Sequence, residues 1–128
     1  MNYVEIGIIT FIIIFLIVYK KNTEKNDISK KDNIKTLVRQ ASRYSIASQQ
    51  DKSPLIALLH ANYGAGYLWA LKDIASEKEI YNATKINLLR FEKKITDIQD
   101  NATKRVSRLC PQFIGSSDIE LLKLAGDV

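Results

Sequence analysis

Ile6-Gly7-Ile8-Ile9-Thr10-Phe11-Ile12-Ile13-Ile14-Phe15-Leu16-Ile17-Val18-Tyr19 is an unbroken apolar run without a charge. Extended back to Tyr3 it covers 17 residues and takes in a single acid, Glu5. A helix rising 1.5 Å per residue would carry it about 25 Å, the short end of what a bilayer core requires. Its apolar side chains, among them Ile6, Ile9, Phe11, Ile13, Phe15, Leu16 and Val18, would face lipid. Tyr3 and Tyr19 mark the two edges, where aromatic side chains settle, and Lys20, Lys21 and Lys25 reach the headgroups. A cleaved signal peptide needs a basic start and a small-residue cleavage site, and this run ends Val18-Tyr19-Lys20-Lys21. An uncleaved single-pass anchor over residues 1–19 is therefore predicted. Lys20, Lys21, Lys25, Lys30, Lys31 and Lys35 follow the run and no Lys or Arg precedes it. That bias puts the N-terminus outside and the C-terminal body in the cytoplasm, or on the topologically equivalent side.

The rest of the composition narrows the chemistry. The chain has 128 residues, a formal net charge of +5, one Cys and one His. A lone Cys leaves no internal disulfide framework, and one His with one Cys argues against a zinc site. No cofactor and no metal are expected. Residues 20–35 hold six Lys among three acids, with Ile28 and Ile34 as the only apolar side chains, which reads as a basic, flexible, solvated tether. Such a stretch attracts anionic headgroups, an effect that Glu24, Asp27 and Asp32 blunt.

Beyond the tether the pattern is helical throughout and no segment alternates with period two, so an all-α fold is predicted, with residues 36–128 as a small three- to four-helix bundle. Ile34, Leu37, Val38, Ala41, Tyr44, Ser45 and Ser48 recur at spacings of three and four, giving one helix to about Gln50. Ser53 and Pro54 suit the N-cap and first position of the next, which runs to about Ala75. That helix is apolar nearly all round, as a central helix covered on several sides would be, while His60, Asn62, Lys72 and Asp73 argue against a second membrane span. Ala57, Ala61 and Ala65 form a small-residue ridge, with Gly66 and Ala70 as another, and these are the candidate helix-packing interface. Ser76-Glu77-Lys78-Glu79 is a capping box. The helix it opens either runs unbroken to Cys110 or, as preferred here, breaks near Thr84-Lys85 with Asn87 capping a fresh helix from Leu88. Leu88, Phe91, Ile95, Ile98, Ala102, Val106 and Leu109 make the buried stripe of that last stretch. Past Pro111, Ser117 and Glu120 suggest a short final helix bearing Ile119, Leu121, Leu122 and Leu124.

The candidate chemistry is sparse. His60, Asn62, Tyr63 and Tyr67 form the densest polar and aromatic group, but no carboxylate is placed beside them, so a core role outweighs a general base with phenolic partners. Gly64-Ala65-Gly66 follows no strand and lacks a third glycine, so it is no dinucleotide fingerprint. Cys110 sits at a helix C-terminus, where the dipole disfavours a thiolate. Lys93, Lys94, Lys104, Arg105 and Arg108 lie along one helix without interleaved aromatics, a weak signal for nucleic acid.

The run Val38-Arg39-Gln40-Ala41-Ser42-Arg43-Tyr44, then Gln49 to Ala57 and Leu59-His60-Ala61-Asn62-Tyr63-Gly64-Ala65-Gly66-Tyr67-Leu68-Trp69 through Ala75, resembles small helical proteins of large double-stranded DNA viruses of algae and other protists. The resemblance covers about residues 36–113 and brings no catalytic motif. It implies a virion setting, where a membrane lies beneath the capsid. The expectation is thus a membrane-anchored structural or interaction protein with no enzymatic activity. Integral membrane residence, a protein partner or self-association, and a place as a virion membrane or minor capsid-associated component follow. The alternatives are a basic adaptor for anionic lipid or nucleic acid and, from another class, a small membrane-bound enzyme at His60 and Tyr63.

Overall fold

A computed structural model describes residues 2–113 of the chain. It is all-α. The first helix, α1, runs Tyr3–Gln50 without interruption; α2 is Pro54–Ile74, α3 Glu77–Thr84 and α4 Leu88–Leu109, followed by a short 3-10 turn at Pro111–Phe113. The final helix expected around Ser117 lies outside the described residues.

The apolar run occupies the first turns of α1, and its side chains are exposed from Tyr3 to Tyr19. None of the most apolar stretch of this helix is buried inside the protein. The helix is long and apolar enough to cross a membrane. The single acid of the apolar run is accounted for at the helix start, where the Glu5 carboxylate accepts a hydrogen bond from the Asn2 backbone N–H at 3.0 Å.

The structure differs from the sequence reading over residues 20–35. The expected flexible tether is helix, continuous with both the apolar run and the head. The physical reason is cooperativity. No Gly or Pro falls between Lys20 and Gln50, the run before it is helical, and packing enforces helix from Ile34 onward. Extending a helix from two nucleated ends costs little per residue, even for a polar stretch. The head also starts earlier than residue 36, because Ile34 is 2% exposed and Lys30 Nζ lies 2.6 Å from Glu79 Oε1 on α3. At 1.5 Å per residue, the 48 residues of α1 make a rod about 72 Å long.

The head forms where α2 folds back along α1 and α4 runs up beside both, with α3 across the lower end. Ile34 and Val38 from α1, Leu71 and Ala75 from α2 and Ile80 from α3 close the lower core, and Ala65, Leu68 and Ile95 continue it upward. The breaks fall where local chemistry puts them. Ser76 Oγ accepts from the Glu79 N–H while the Glu79 carboxylate accepts from the Ser76 N–H at 2.8 Å, completing the capping box. Lys85 takes a left-handed conformation with φ of 62° and ends α3. The Asn87 side-chain oxygen then accepts from the Arg90 N–H at 2.9 Å to start α4. Ser53 stands at the N-cap of α2 without a side-chain bond.

Three further expectations are corrected. The helix α2 is buried on one face only, with Leu55, Ile56, Leu59, Tyr63, Trp69 and Ile74 each more than two-fifths exposed. Leu109 is 61% exposed and lies off the buried stripe of α4. Of the small residues, Ala57, Ala61 and Ala65 are buried against the other helices, but Gly66 faces open space. The residue that sets the helix separation is Gly64, where an added Cβ would lie 2.5 Å from Ser45 Oγ and 3.2 Å from the Ala41 carbonyl oxygen.

The two glycines should therefore respond oppositely to the same change. Gly64→Ala forces α1 and α2 apart and is expected to destabilise the head by about 1–3 kcal/mol. Gly66→Ala meets nothing and should stabilise it by about 0.5–1 kcal/mol through helix propensity. Thermal melts of the two variants in one detergent check the ordering. A separate expectation concerns pH. The Lys30 ammonium, aided by the Ser76 N–H and hydroxyl, holds the Glu79 carboxyl at about 2 instead of 4.5. A depressed carboxyl stabilises the fold above its unfolded value and loses that contribution as pH falls through its folded one. The Tm gap between the native chain and Glu79→Gln should therefore be full at pH 7 and close between pH 4.5 and 2.

Candidate functional site

Two regions of the head gather functional side chains, one on each side of the α1–α2 pair. The first surrounds His60. Because α1 and α2 are antiparallel about the turn at Asp51–Ser53, residues equally far from Lys52 meet, and Tyr44 comes against His60. The Tyr44 ring lies 5.8 Å from His60, 5.3 Å from Tyr63 and 5.7 Å from Tyr67, the last stacked within 11° of parallel. Offset and tilted contacts at these separations are favourable ring geometries.

Contrary to the sequence reading, a carboxylate joins this group. Asp51 Oδ2 sits 2.5 Å from His60 Nδ1, with both side chains 28% exposed. Asp51 is the C-cap of α1, and the turn delivers it to a histidine on the next helix. The signal lay in the sequence as the short, Pro-terminated turn, which makes the helices antiparallel. What spacing along α2 alone could not provide was a partner from α1. The same turn is gripped from the far side by α4: Arg105 Nη2 donates to the Lys52 carbonyl at 2.7 Å and Nη1 to the Asp51 carbonyl at 3.3 Å. Arg105 caps backbone groups that the end of α1 leaves unpaired.

An Asp–His pair orients an imidazole, and hydrolytic chemistry further requires a nucleophile on the other ring nitrogen. Among the described residues, no hydroxyl is hydrogen-bonded to His60 Nε2. The cluster ties α1, the turn and α2 together at the end of the head farthest from the apolar run. It supplies no reacting pair.

Two of the basic residues of α4 are engaged within the head. Lys93 pairs with Asp97 at 2.9 Å and Arg105 holds the turn. On the opposite edge of α2, Lys72 bonds Glu92 Oε1 at 2.6 Å and lies 4.7 Å above the Trp69 ring. Among the described residues, no group of three or more His, Cys, Asp or Glu side chains is placed to hold a metal ion.

The second region is a cleft between α1 and α4. These helices run parallel and each packs mainly on α2, so they diverge from one another. The opening has a volume of about 790 Å³, with Ile46, Phe91, Ile95 and Ile98 on its walls and Lys85, Arg90 and Lys94 on its rim. Ser45 lines it as well, but its hydroxyl lies against Gly64 in the α1–α2 contact, buried and without a hydrogen-bond partner. Upward it continues past Gln49 and Ile98 to Ser48, Ala57, Ala102 and Arg105. Sequence periodicity did not reveal this cleft, because a stripe of apolar residues on α4 looks the same whether one neighbour covers it or two.

No family model, no curated protein and no solved structure matches the chain.

Because Arg105 secures the turn between α1 and α2, Arg105→Ala should lower the Tm by several degrees while leaving helix content unchanged. The charge-keeping Arg105→Lys should recover only part of the loss, since one ammonium cannot reproduce the two-pronged grip on successive carbonyls. Differential scanning fluorimetry on the three chains measures both.

Proposed function

We propose that this is a single-pass membrane protein whose helical head is a structural and interaction module. One observation carries the reading: the exposed apolar run and the first helix of the head are a single helix, Tyr3–Gln50. An anchor joined in this way holds the head at a set height and orientation. The fifteen or so residues between Tyr19 and Ile34 give a stand-off of about 22 Å. The basic flank that follows the run supports the N-terminus-out orientation.

The head's interaction surface is the uncovered side of α2. Leu55, Ile56, Leu59, Tyr63 and Trp69 are exposed along it around the open backbone at Gly66. A contiguous apolar face of this kind marks a contact with protein or lipid, and its position above the membrane favours protein. The self-association surface is accordingly assigned here and not to the Ala57, Ala61 and Ala65 ridge, which the head uses internally. The resemblance of residues 36–113 to proteins of large DNA viruses supports a place in a virion, linking the inner membrane to a protein layer. The adaptor reading is less favoured, because Arg105 and Lys93 of the basic stripe are engaged within the head.

Carbonate extraction of membranes carrying the full chain should leave it in the pellet. In detergent, light scattering should give a defined oligomer that Leu59→Lys converts to a folded monomer. A chain released by carbonate contradicts the anchor. An oligomer indifferent to Leu59→Lys contradicts the assigned surface.

A further inference from the structure

The cleft between α1 and α4 sorts its lining by character. Lys85 closes α3, and Arg90 and Lys94 stand on the first two turns of α4, so three cations gather at the end nearer the apolar run. Past Lys94 the lining is uncharged, with Ile46, Gln49, Ile95 and Ile98 leading away, and the span from Arg90 to Ile98 covers about 12 Å. Among the described residues no carboxylate lines the opening, and its volume of about 790 Å³ falls within the range of small-molecule sites. Ile46 is 52% exposed there, while Leu37 and Val38 lower on α1 are packed into the core.

The three cations are not spent on the fold. None lies within salt-bridge distance of a carboxylate among the described residues, and two nearby acids of α4 are taken elsewhere, Glu92 by Lys72 and Asp97 by Lys93. Arg90 and Lys94 stand one turn apart on α4, where like charges repel unless an anion comes between them. Lys85 Nζ lies 5.4 Å from the Tyr81 ring centre, a contact that steadies the ammonium without neutralising it. Lys85 is also the one non-glycine residue of positive φ among the described residues, at 62°, where Gly or Asn would end α3 with less strain. A lysine at that position puts a charge on the rim at some cost to the fold.

Charges at one end, with an apolar track leading away from them, match a head and a tail. An amphipathic helix from a partner would instead need its charges repeated along its length. Three cations exceed what one carboxylate neutralises, whereas a phosphate monoester carries a charge of about −1.5 to −2 at pH 7 and offers three acceptor oxygens. We propose that the α1–α4 cleft binds a single-chain amphiphile with a phosphate head, the phosphate on Lys85, Arg90 and Lys94 and the alkyl chain along Ile46, Ile95 and Ile98. The inference rests on the proposed membrane residence only for the source of such a ligand.

Photolabelling of the full chain in phosphatidylcholine vesicles tests this, with a dodecyl phosphate carrying a diazirine near the end of its chain as the probe. Adducts should saturate in residues 42–49 and 91–98, and unlabelled dodecyl phosphate should compete about tenfold better than dodecanoate or dodecyltrimethylammonium. Arg90→Gln combined with Lys94→Gln should cut those adducts about tenfold with the thermal melt unchanged. Lys85→Asn should cut them as well while leaving the Tm at or above that of the native chain, an opposition that a purely structural lysine would not produce. Adducts in the cleft without label in residues 3–19 would support the site while contradicting the anchor. Label confined to residues 3–19 would overturn the proposal. Cleft adducts indifferent to the charge variants, or displaced equally well by the carboxylate or cationic chain, would overturn it too, by reducing the cleft to an apolar groove without a phosphate seat.

Discussion

The close approach of α1 and α2 governs the rest of the head. Gly64 meets Ala41 and Ser45 backbone to backbone, and no side chain larger than hydrogen fits between them. The buried Ala57, Ala61 and Ala65 keep the crossing tight along the same face. Because α1 also carries the apolar run, this contact joins the head to that run without a break in the helix. From it follow the meeting of Tyr44 with the aromatic side chains of α2, the delivery of Asp51 to His60, and the turn that Arg105 grips. Helices this close leave little apolar volume between them, so of the larger side chains of α2 Leu68 and Leu71 are enclosed while Leu55, Ile56, Leu59, Tyr63 and Trp69 are turned outward.

That outward displacement gives the head two unlike faces. The outer side of α2 is apolar, and charges flank it only near the lower end, where Lys72 is held by Glu92. The α1–α4 side is an apolar floor with a basic rim. A face of the first kind suits a partner of similar character. The rod-like α1 then sets how far from the apolar run either face is presented.

Much of this was legible in the sequence. The apolar run, the Ser53-Pro54 start, the Ser76 capping box and the Asn87 restart each rest on local chemistry, and the structure places all four where that chemistry predicts. What was not legible depended on contacts between distant residues. Residues 20–35 look disordered by composition, and their helix is imposed by neighbours at both ends. Gly64 and Gly66 are indistinguishable until a partner helix chooses one of them. Asp51 joins His60 only because the turn reverses the chain. The apolarity of α2 nearly all round suggested cover on several sides, when one side is an uncovered surface.

The account depends most on the helix being continuous from the anchor into the head. Spin labels at Lys21→Cys and Arg43→Cys in a Cys110→Ser background, read by pulsed dipolar spectroscopy in reconstituted vesicles, measure this directly. A continuous helix predicts a narrow distribution centred near 33 Å for 22 residues at the helical rise. A broad distribution shifted well away from that distance would show a flexible joint between membrane and head, and would contradict the account.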